Sequence, residues 1–332
     1  MSDVDAEIRV SPHALERFTG DALGRLGLPR PDATLVASCL VQVDLRGVRS
    51  HGVRYLARYV RRYRAGQLNP TPKPRVIRED AVAIVMDGDG GLGYVVASQV
   101  TEKLIARAGE TGLCVAATRH HGHVGSLGIY ARMALKKNLA SLSFTAKNDW
   151  PPPARPNPTV WDATRSPAIC LAIPSANGPP LVADMSANSF RDLKTLRAAA
   201  HAFPEAVIKS MALQFAATAL GGVLAGQVES GRVESAGVER RFSSATDGFL
   251  ILAFHPGLIA DTDTLLADVQ RFIEGSRAMP PLPGFERSDV PGSLEWERER
   301  AWSRLGIPFS REQRRELEQI ASELKVEAPW GE

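Results

Sequence analysis

Apolar positions recur at helical spacing near the start of the chain and in short strand-like runs through its middle. Leu15, Phe18, Leu23 and Leu26 form one stripe behind the start signal Ser11-Pro12, which predicts a helix over 11–28. Leu35, Val36, Cys39, Leu40 and Val43 mark a second over 31–47, opened by Pro31 and Asp32, and residues 53–65 continue as a third. Pro70, Pro72 and Pro74 read as a linker. Apolar runs at 82–86, 113–117, 139–144, 168–173 and 249–254 read as strands. The turn Asn177-Gly178-Pro179-Pro180 joins 168–173 to 181–184 as a hairpin. Helices are predicted over 94–110, 127–137, 204–225, 262–277, 294–304 and 311–324. Hairpins mixed with strand-helix alternation give an α/β (α+β) class and exclude a purely parallel sheet. Three regions follow: a helical part over 1–75, a central α/β part over 76–255, and a helical part over 256–332 expected to pack back on the first.

Composition refines this picture. The 332 residues are 44% hydrophobic, enough for a large core. A net charge of +3, from 40 basic and 37 acidic residues, points away from nucleic acid. The longest apolar stretch is interrupted at Gly221 and Gly222, so no membrane span is expected, and the polar start MSDVDAEIRV shows no signal peptide. Cys39, Cys114 and Cys170 lie far apart in apolar contexts, which fits free thiols and a cytoplasmic location.

The candidate chemistry centres on Asp44-Leu-Arg-Gly-Val-Arg-Ser50-His51-Gly52-Val-Arg54-Tyr55, ahead of Arg58, Arg61, Arg62 and Arg64. A histidine at a helix end, beside a hydroxyl and among arginines, suits proton transfer to a small anionic substrate. A capped helix end with a solvated arginine face is the plainer alternative. Gly88-x-Gly90-x-x-Gly93 follows a strand and precedes a helix, as dinucleotide turns do, yet Asp89 inside it would repel phosphate, so a structural turn is the better reading. His120, His121 and His123 lack nearby cysteine or carboxylate ligands, so no metal is expected, and one of them is a candidate for a polar pocket at a strand end. Asp184 ends an apolar strand, either as a cap or as the orienting partner of a histidine. Lys209, on an apolar helix, either snorkels or meets a phosphate or carboxylate.

Together these stretches resemble the type-2 malate/L-lactate dehydrogenase family, which includes ureidoglycolate, sulfolactate and diketogulonate dehydrogenases and cyclic imino acid reductases. The resemblance rests on Asp44 to Gly52, on Arg58-Tyr59-Val60 with Gly66-x-x-Asn69-Pro70, and on Asp87 to Gly93. His123-x-Gly125-x-x-Gly128-x-Tyr130-Ala131, Pro179 to Met185, Pro283 to Arg287 and Val290-Pro-Gly292 extend it through most of the chain. It implies a non-Rossmann NAD(P)-binding domain, a helical N-terminal dimerisation and substrate region, and a homodimer. It also implies hydride transfer between NAD or NADP and a small 2-oxo acid, 2-hydroxy acid or cyclic imino acid. His51 would be the acid/base, with Ser50 and Asp184 orienting it. His123, Arg54, Tyr55 and Arg46 would meet the substrate. Lys209, Ser210, Ser166, Pro167, Thr145 and Gly292 would meet the cofactor.

The chain departs from the family's pattern on both sides of the reaction. Tyr55 stands where the family carries arginine four places after the histidine, with Arg54 one place earlier. Thr145-Ala146-Lys147 replaces a Thr-Asn pair, Arg165-Ser166-Pro167 replaces Thr-Asn-Pro, and the glycines flanking the cofactor lysine are absent around Lys209. The segment between Asp184 and Lys209 is short. The sequence therefore also admits a relative that has left nicotinamide behind, as a binding protein or a cofactor-free acid/base catalyst.

Overall fold

A computed structural model describes residues 8–148, 156, 159–164, 167–190, 192–226 and 242–330. Two helices start the chain, α1 (Pro12–Arg25) and α2 (Arg30–Leu45). Ser11 caps α1 by accepting from the Ala14 amide. The buried stripes predicted from the sequence face each other, with Leu15, Phe18 and Leu23 of α1 in one core with Val36 and Leu40 of α2. A 3₁₀ turn, Val53–Tyr55, leads into α3 (Leu56–Arg64).

Among the described residues the central element is a seven-stranded sheet. Its strands are β2 (Arg75–Asp80), β3 (Ala83–Asp87), β4 (Leu113–His121), β5 (Ala140–Lys147), β6 (Ala168–Ile173), β7 (Leu181–Ser186) and β8 (Asp247–Phe254). In space they run β2-β3-β4-β8-β5-β6-β7. Only β3 and β4 pair in parallel, joined by the crossover helix α4 (Gly93–Thr111); the other pairings are antiparallel. The expected mixture of hairpins and crossovers is thus observed. The edge strand β2, of sequence RVIRED, is exposed at every position, which is why no alternation announced it.

α5 (Gly128–Leu135) packs on β5 and β6, and α6 (Leu193–Ala202) precedes α7 (Pro204–Thr218). α7 runs on as a π-helical turn, Ala219–Leu224. Contrary to the sequence expectation, residues 204–224 form a helix long and apolar enough by length and composition to cross a membrane. Its glycines explain why it lies on the sheet instead. A Cβ at Gly221 would stand 2.6 Å from the Thr145 amide nitrogen, and one at Gly222 would stand 2.5 Å from the Lys147 carbonyl oxygen. The helix backbone therefore rests directly on β5.

The C-terminal part returns to the N-terminal helices. After α8 (Thr262–Arg277) come α9 (Ser293–Leu305) against α2, and α10 (Arg311–Leu324) against α1 and the 53–55 turn. A two-stranded sheet pairs β1 (Ile8–Val10) with β9 (Ile307–Phe309).

Gly221→Ala should destabilise the protein by about 1–3 kcal/mol, because the added methyl meets backbone. Helix propensity alone predicts the opposite sign, a gain of about 1 kcal/mol. Denaturant unfolding decides between them, and a stabilised variant would remove the close approach.

Candidate active site

The loop after α2 is held from beneath by a buried carboxylate. Asp44, near the end of α2, accepts from the Val53 amide at 2.7 Å. Gly52 lies so close that a Cβ there would fall 2.0 Å from the Asp44 carboxylate. Burial pushes the Asp44 carboxyl up to about 7, against the pull of the Val53 amide and the charge of Arg49. The loop is thereby folded back onto the helix end, and His51 is carried out to face two other rings.

Those rings are stacked. His51 lies 5.5 Å from Tyr55 and 5.6 Å from His123, and Tyr55 lies 4.7 Å from His123, with interplanar angles of 13°, 25° and 12°. The Ser50 hydroxyl sits 2.9 Å from His51 Nδ1, leaving Nε2 as the nitrogen available to a ligand. Burial lowers the proton affinity of His51 below the ordinary 6.5, and the negative charge of Asp184 partly restores it. Asp184 makes no hydrogen bond to His51. Its carboxylate instead accepts from the Ser126 hydroxyl at 2.5 Å and from the Gly128 amide at 2.8 Å, at the first turn of α5. Of the two roles left open for Asp184, the structure shows a carboxylate anchored at a helix start whose field reaches His51.

His123 follows β4. Its Nδ1 is 2.8 Å from the Tyr59 hydroxyl, which is 3.1 Å from that of Tyr94. Burial, then the charges of His51, Arg58, Arg62 and Lys147, hold its proton affinity well below the ordinary value. Arg58 and Arg62 come from α3 and Lys147 ends β5, so three permanent cations converge on one imidazole. The Arg58 guanidinium also lies over the Tyr55 ring, 5.6 Å from its centroid. A cavity of about 730 Å³ opens beside Ser50 and Tyr55, between α3 and α10.

The other two histidines look elsewhere. His120 pairs with Asp87 at 3.1 Å. His121 is fully buried between the Thr118 hydroxyl and the Gly122 carbonyl oxygen, and burial pushes it down to about 4. No group of metal-ligating side chains occurs among the described residues. The glycine turn is structural. The amides of Gly88, Gly90 and Gly93 donate to the carbonyls of Arg119, His120 and His123, so they face the histidine segment and not a phosphate.

Two forecast substrate arginines are engaged with protein partners. Arg46 is buried, donating to the Gln42 carbonyl and to Glu299 at 2.7 Å. Arg54 is exposed and pairs with Glu316 at 3.0 Å. Both were forecast from their nearness to His51 in sequence, but α9 and α10 bring the carboxylates that claim them. Arg62 and Lys147 take the nearer places. Arg62 stood in the basic run noted in the sequence, whereas Lys147 stood out only as a departure from the family's Thr-Asn.

Several of the forecast cofactor residues are engaged with the protein itself. The Thr145 hydroxyl donates to the Gly248 carbonyl at 2.7 Å, and Ser210 Oγ accepts from the Ser189 amide and from Gln214. The Pro167 carbonyl accepts from Ala187. Gly292, at φ +94°, is the left-handed start of α9 pressed against Val182 of β7. Lys209 is exposed on α7, and Ser166 lies outside the described residues. What fits a nicotinamide dinucleotide is the chemistry of a set that keeps Lys209 from the forecast and adds Lys147 and Asn148. Among the described residues Asn148 Oδ1 is buried without a partner, an acceptor suited to a carboxamide, while Lys147 and Lys209 are cations suited to phosphate.

Asp44→Ala would leave the Val53 amide buried and unpaired, a cost of about 1–3 kcal/mol. Equilibrium unfolding of the variant should show that loss, and unchanged stability would remove Asp44 as the anchor of the loop.

Comparison with known proteins bears on the family and the fold. The profile of the malate/L-lactate dehydrogenase family matches residues 10–202. Malate dehydrogenase of Pyrococcus horikoshii is 38% identical over 175 residues, 53% of this chain and 48% of that protein, and one from Pyrococcus abyssi matches over the same share of its length. The chain thus spans about half the length of these two relatives. L-lactate dehydrogenase of Cupriavidus necator is 28% identical across 97% of this chain and 99% of its own. The solved P. horikoshii malate dehydrogenase superposes with a TM-score of 0.81 at 27% identity, covering 99% of both chains. Δ1-Piperideine-2-carboxylate reductase of Pseudomonas syringae shares the fold, with a TM-score of 0.70 at 18% identity, covering 95% of this chain and 100% of its own. The chain belongs to the malate/L-lactate dehydrogenase family.

Proposed function

We propose that the chain is an NAD(P)-dependent oxidoreductase of small anionic 2-hydroxy and 2-oxo acids, with cyclic imino acids as the related substrate class. The observation that carries this reading is the stack of His51, Tyr55 and His123 with Ser50 on one side and Arg58, Arg62 and Lys147 around it. The cations attract and orient the carboxylate of the substrate, more strongly as the pocket sheds water. The C2 oxygen, or the imine nitrogen, then lies against His51 Nε2.

Lys147, Asn148 and Lys209 are the residues that would hold the dinucleotide, which when bound gives or takes the hydride at C2. The rest of the work is this chain's own. In oxidation, neutral His51 accepts the hydroxyl proton; in reduction, protonated His51 donates to the oxygen as its charge develops, a contribution of about 10²–10⁴-fold. Ser50 holds the ring through Nδ1, and Asp184 stabilises the imidazolium at a distance. A second reading, acid/base chemistry without nicotinamide, draws support from the protein partners already held by Thr145 and Ser210.

Titrating NADH and NADPH against the protein, followed by a screen of 2-oxo and cyclic imino acids, separates the two. Saturable binding of either nucleotide is expected. Its absence at millimolar concentration would sink the first reading.

The pH dependence follows from His51. Oxidation needs the neutral ring, so kcat/KM should rise through a pKa below 6.5 and level off near neutrality, while reduction falls over the same interval. Because the Asp184 charge raises this pKa, Asp184→Asn should move the acid limb to lower pH. A limb that stays in place, measured in pH-rate profiles of both proteins, would remove Asp184 from that role.

A further inference from the structure

Neither the family resemblance nor the proposed reaction assigns any role to the two buried phenols behind His123. Tyr59 and Tyr94 are both fully buried, one from α3 and one from the start of α4. Their hydroxyls and His123 Nδ1 form one line of hydrogen bonds, at 3.1 Å and 2.8 Å. The protons along this line can be counted. A buried hydroxyl needs an acceptor for its hydrogen. The only hydrogen-bond partner of the Tyr94 hydroxyl within the described residues is Tyr59. If Tyr94 donates to Tyr59, then Tyr59 is free to donate to His123 Nδ1, and every hydrogen is used. The reverse order would have Nδ1–H donating to Tyr59 and would strand the Tyr94 hydrogen in the core, at the cost of an unmade buried hydrogen bond.

We propose that Tyr59 and Tyr94 are positioning residues that fix His123 as a neutral imidazole with its proton on Nε2, aimed at the substrate as a permanent hydrogen-bond donor. The two histidines then divide the labour. His51 exchanges its proton, and His123 keeps its own and polarises the same carbonyl or imine. The surroundings of His123 enforce this. His51, Tyr55, Arg58, Tyr59 and Arg62 face it from the histidine loop and α3, Tyr94 faces it from α4, and Lys147 faces it from β5. The charged groups in that set are cationic, with Asp247 of β8 beside Arg62 and opposite Lys147, and their sum disfavours a second proton on His123. Burial also holds both phenols in the protonated form, so neither offers a phenolate to accept a proton from the ring. A neutral ring donates one hydrogen bond at a fixed nitrogen across the range in which His51 titrates.

The placement in catalysis rests on the oxidoreductase reading; the tautomer does not. The test therefore has two arms. In the full-length protein with ring-15N histidine, the His123 resonances are assigned by difference from His123→Gln. The expected spectrum shows Nε2 protonated and Nδ1 bare, unchanged as His51 titrates. Tyr59→Phe, which keeps the ring and loses only the hydroxyl, should convert this to a mixture of tautomers, and Tyr94→Phe should do so in part. An Nδ1–H tautomer in the native protein, or a spectrum indifferent to Tyr59→Phe, overturns the proposal. In the second arm, kinetics with an accepted 2-oxo acid should show kcat lowered about tenfold in Tyr59→Phe, the equivalent of one hydrogen bond, with KM nearly unchanged. A rise in KM at unchanged kcat would overturn the division of labour. If no 2-oxo acid is turned over by the native protein, the function reading fails while the tautomer is still decided by the first arm.

Discussion

The carboxylate of Asp44 is a small group with a large share in this structure. It is buried at the end of α2, accepts from the Val53 amide, and leaves no room for a side chain at position 52. A carboxylate out of water is costly unless its lone pairs are met, so the chain between residues 45 and 53 is folded to meet them. That folding turns Ser50 and His51 outward and starts α3 at the angle that sets Tyr55, Arg58, Tyr59 and Arg62 along one side. The backbone of a single loop thus places the titrating ring, its hydroxyl partner, the stacking ring and two of the three cations. The rest of the site is brought to it by the sheet.

β4 supplies the second half. Its end is tied to the glycine turn at 88–93 by three backbone hydrogen bonds from that turn and one returned by Gly122. This explains how a stretch with the spacing of a dinucleotide loop serves another purpose. The same glycines that would admit a pyrophosphate here admit a neighbouring strand, and a Cβ at Gly93 would fall 2.5 Å from the Gly122 carbonyl oxygen. His123 is the last residue of the tied segment, and its ring faces Tyr55. The parallel β3–β4 pair and its crossover helix therefore have a direct effect on where the second histidine stands.

Much of this was legible in the chain. Helices α8 and α10 and strand β6 begin and end where periodicity and punctuation placed them. The first two helices and the hairpin of β6 and β7 were also visible. What escaped had physical reasons. β2 is an exposed edge, and β1 and β9 are three residues each and stabilise one another only at long range. α6 has no buried stripe to mark it. In the site, Ser50 and His51 were legible because their chemistry is local. Tyr59, Tyr94 and Lys147 were not, because a tyrosine spaced for a core and a lysine ending a strand acquire their meaning only when α3, α4 and β5 meet. The ion pairs of Arg46 and Arg54 were hidden for the converse reason: sequence distance cannot reveal that Glu299 and Glu316 arrive from the far end of the chain.

The helix formed by α7 and its π-helical turn carries a cost before the protein is folded. It is apolar along 21 residues and carries its glycines where the backbone must touch β5. Its docking surface is built from β5 and β6, drawn from earlier in the chain, and from β8, which follows it. During synthesis the helix therefore emerges before the last of the strands that will cover it has been made. In that interval it is a greasy segment able to enter a bilayer or another nascent chain. The glycine face that gives the finished protein its tight seam is thus part of a helix that stays partly uncovered until β8 has been made.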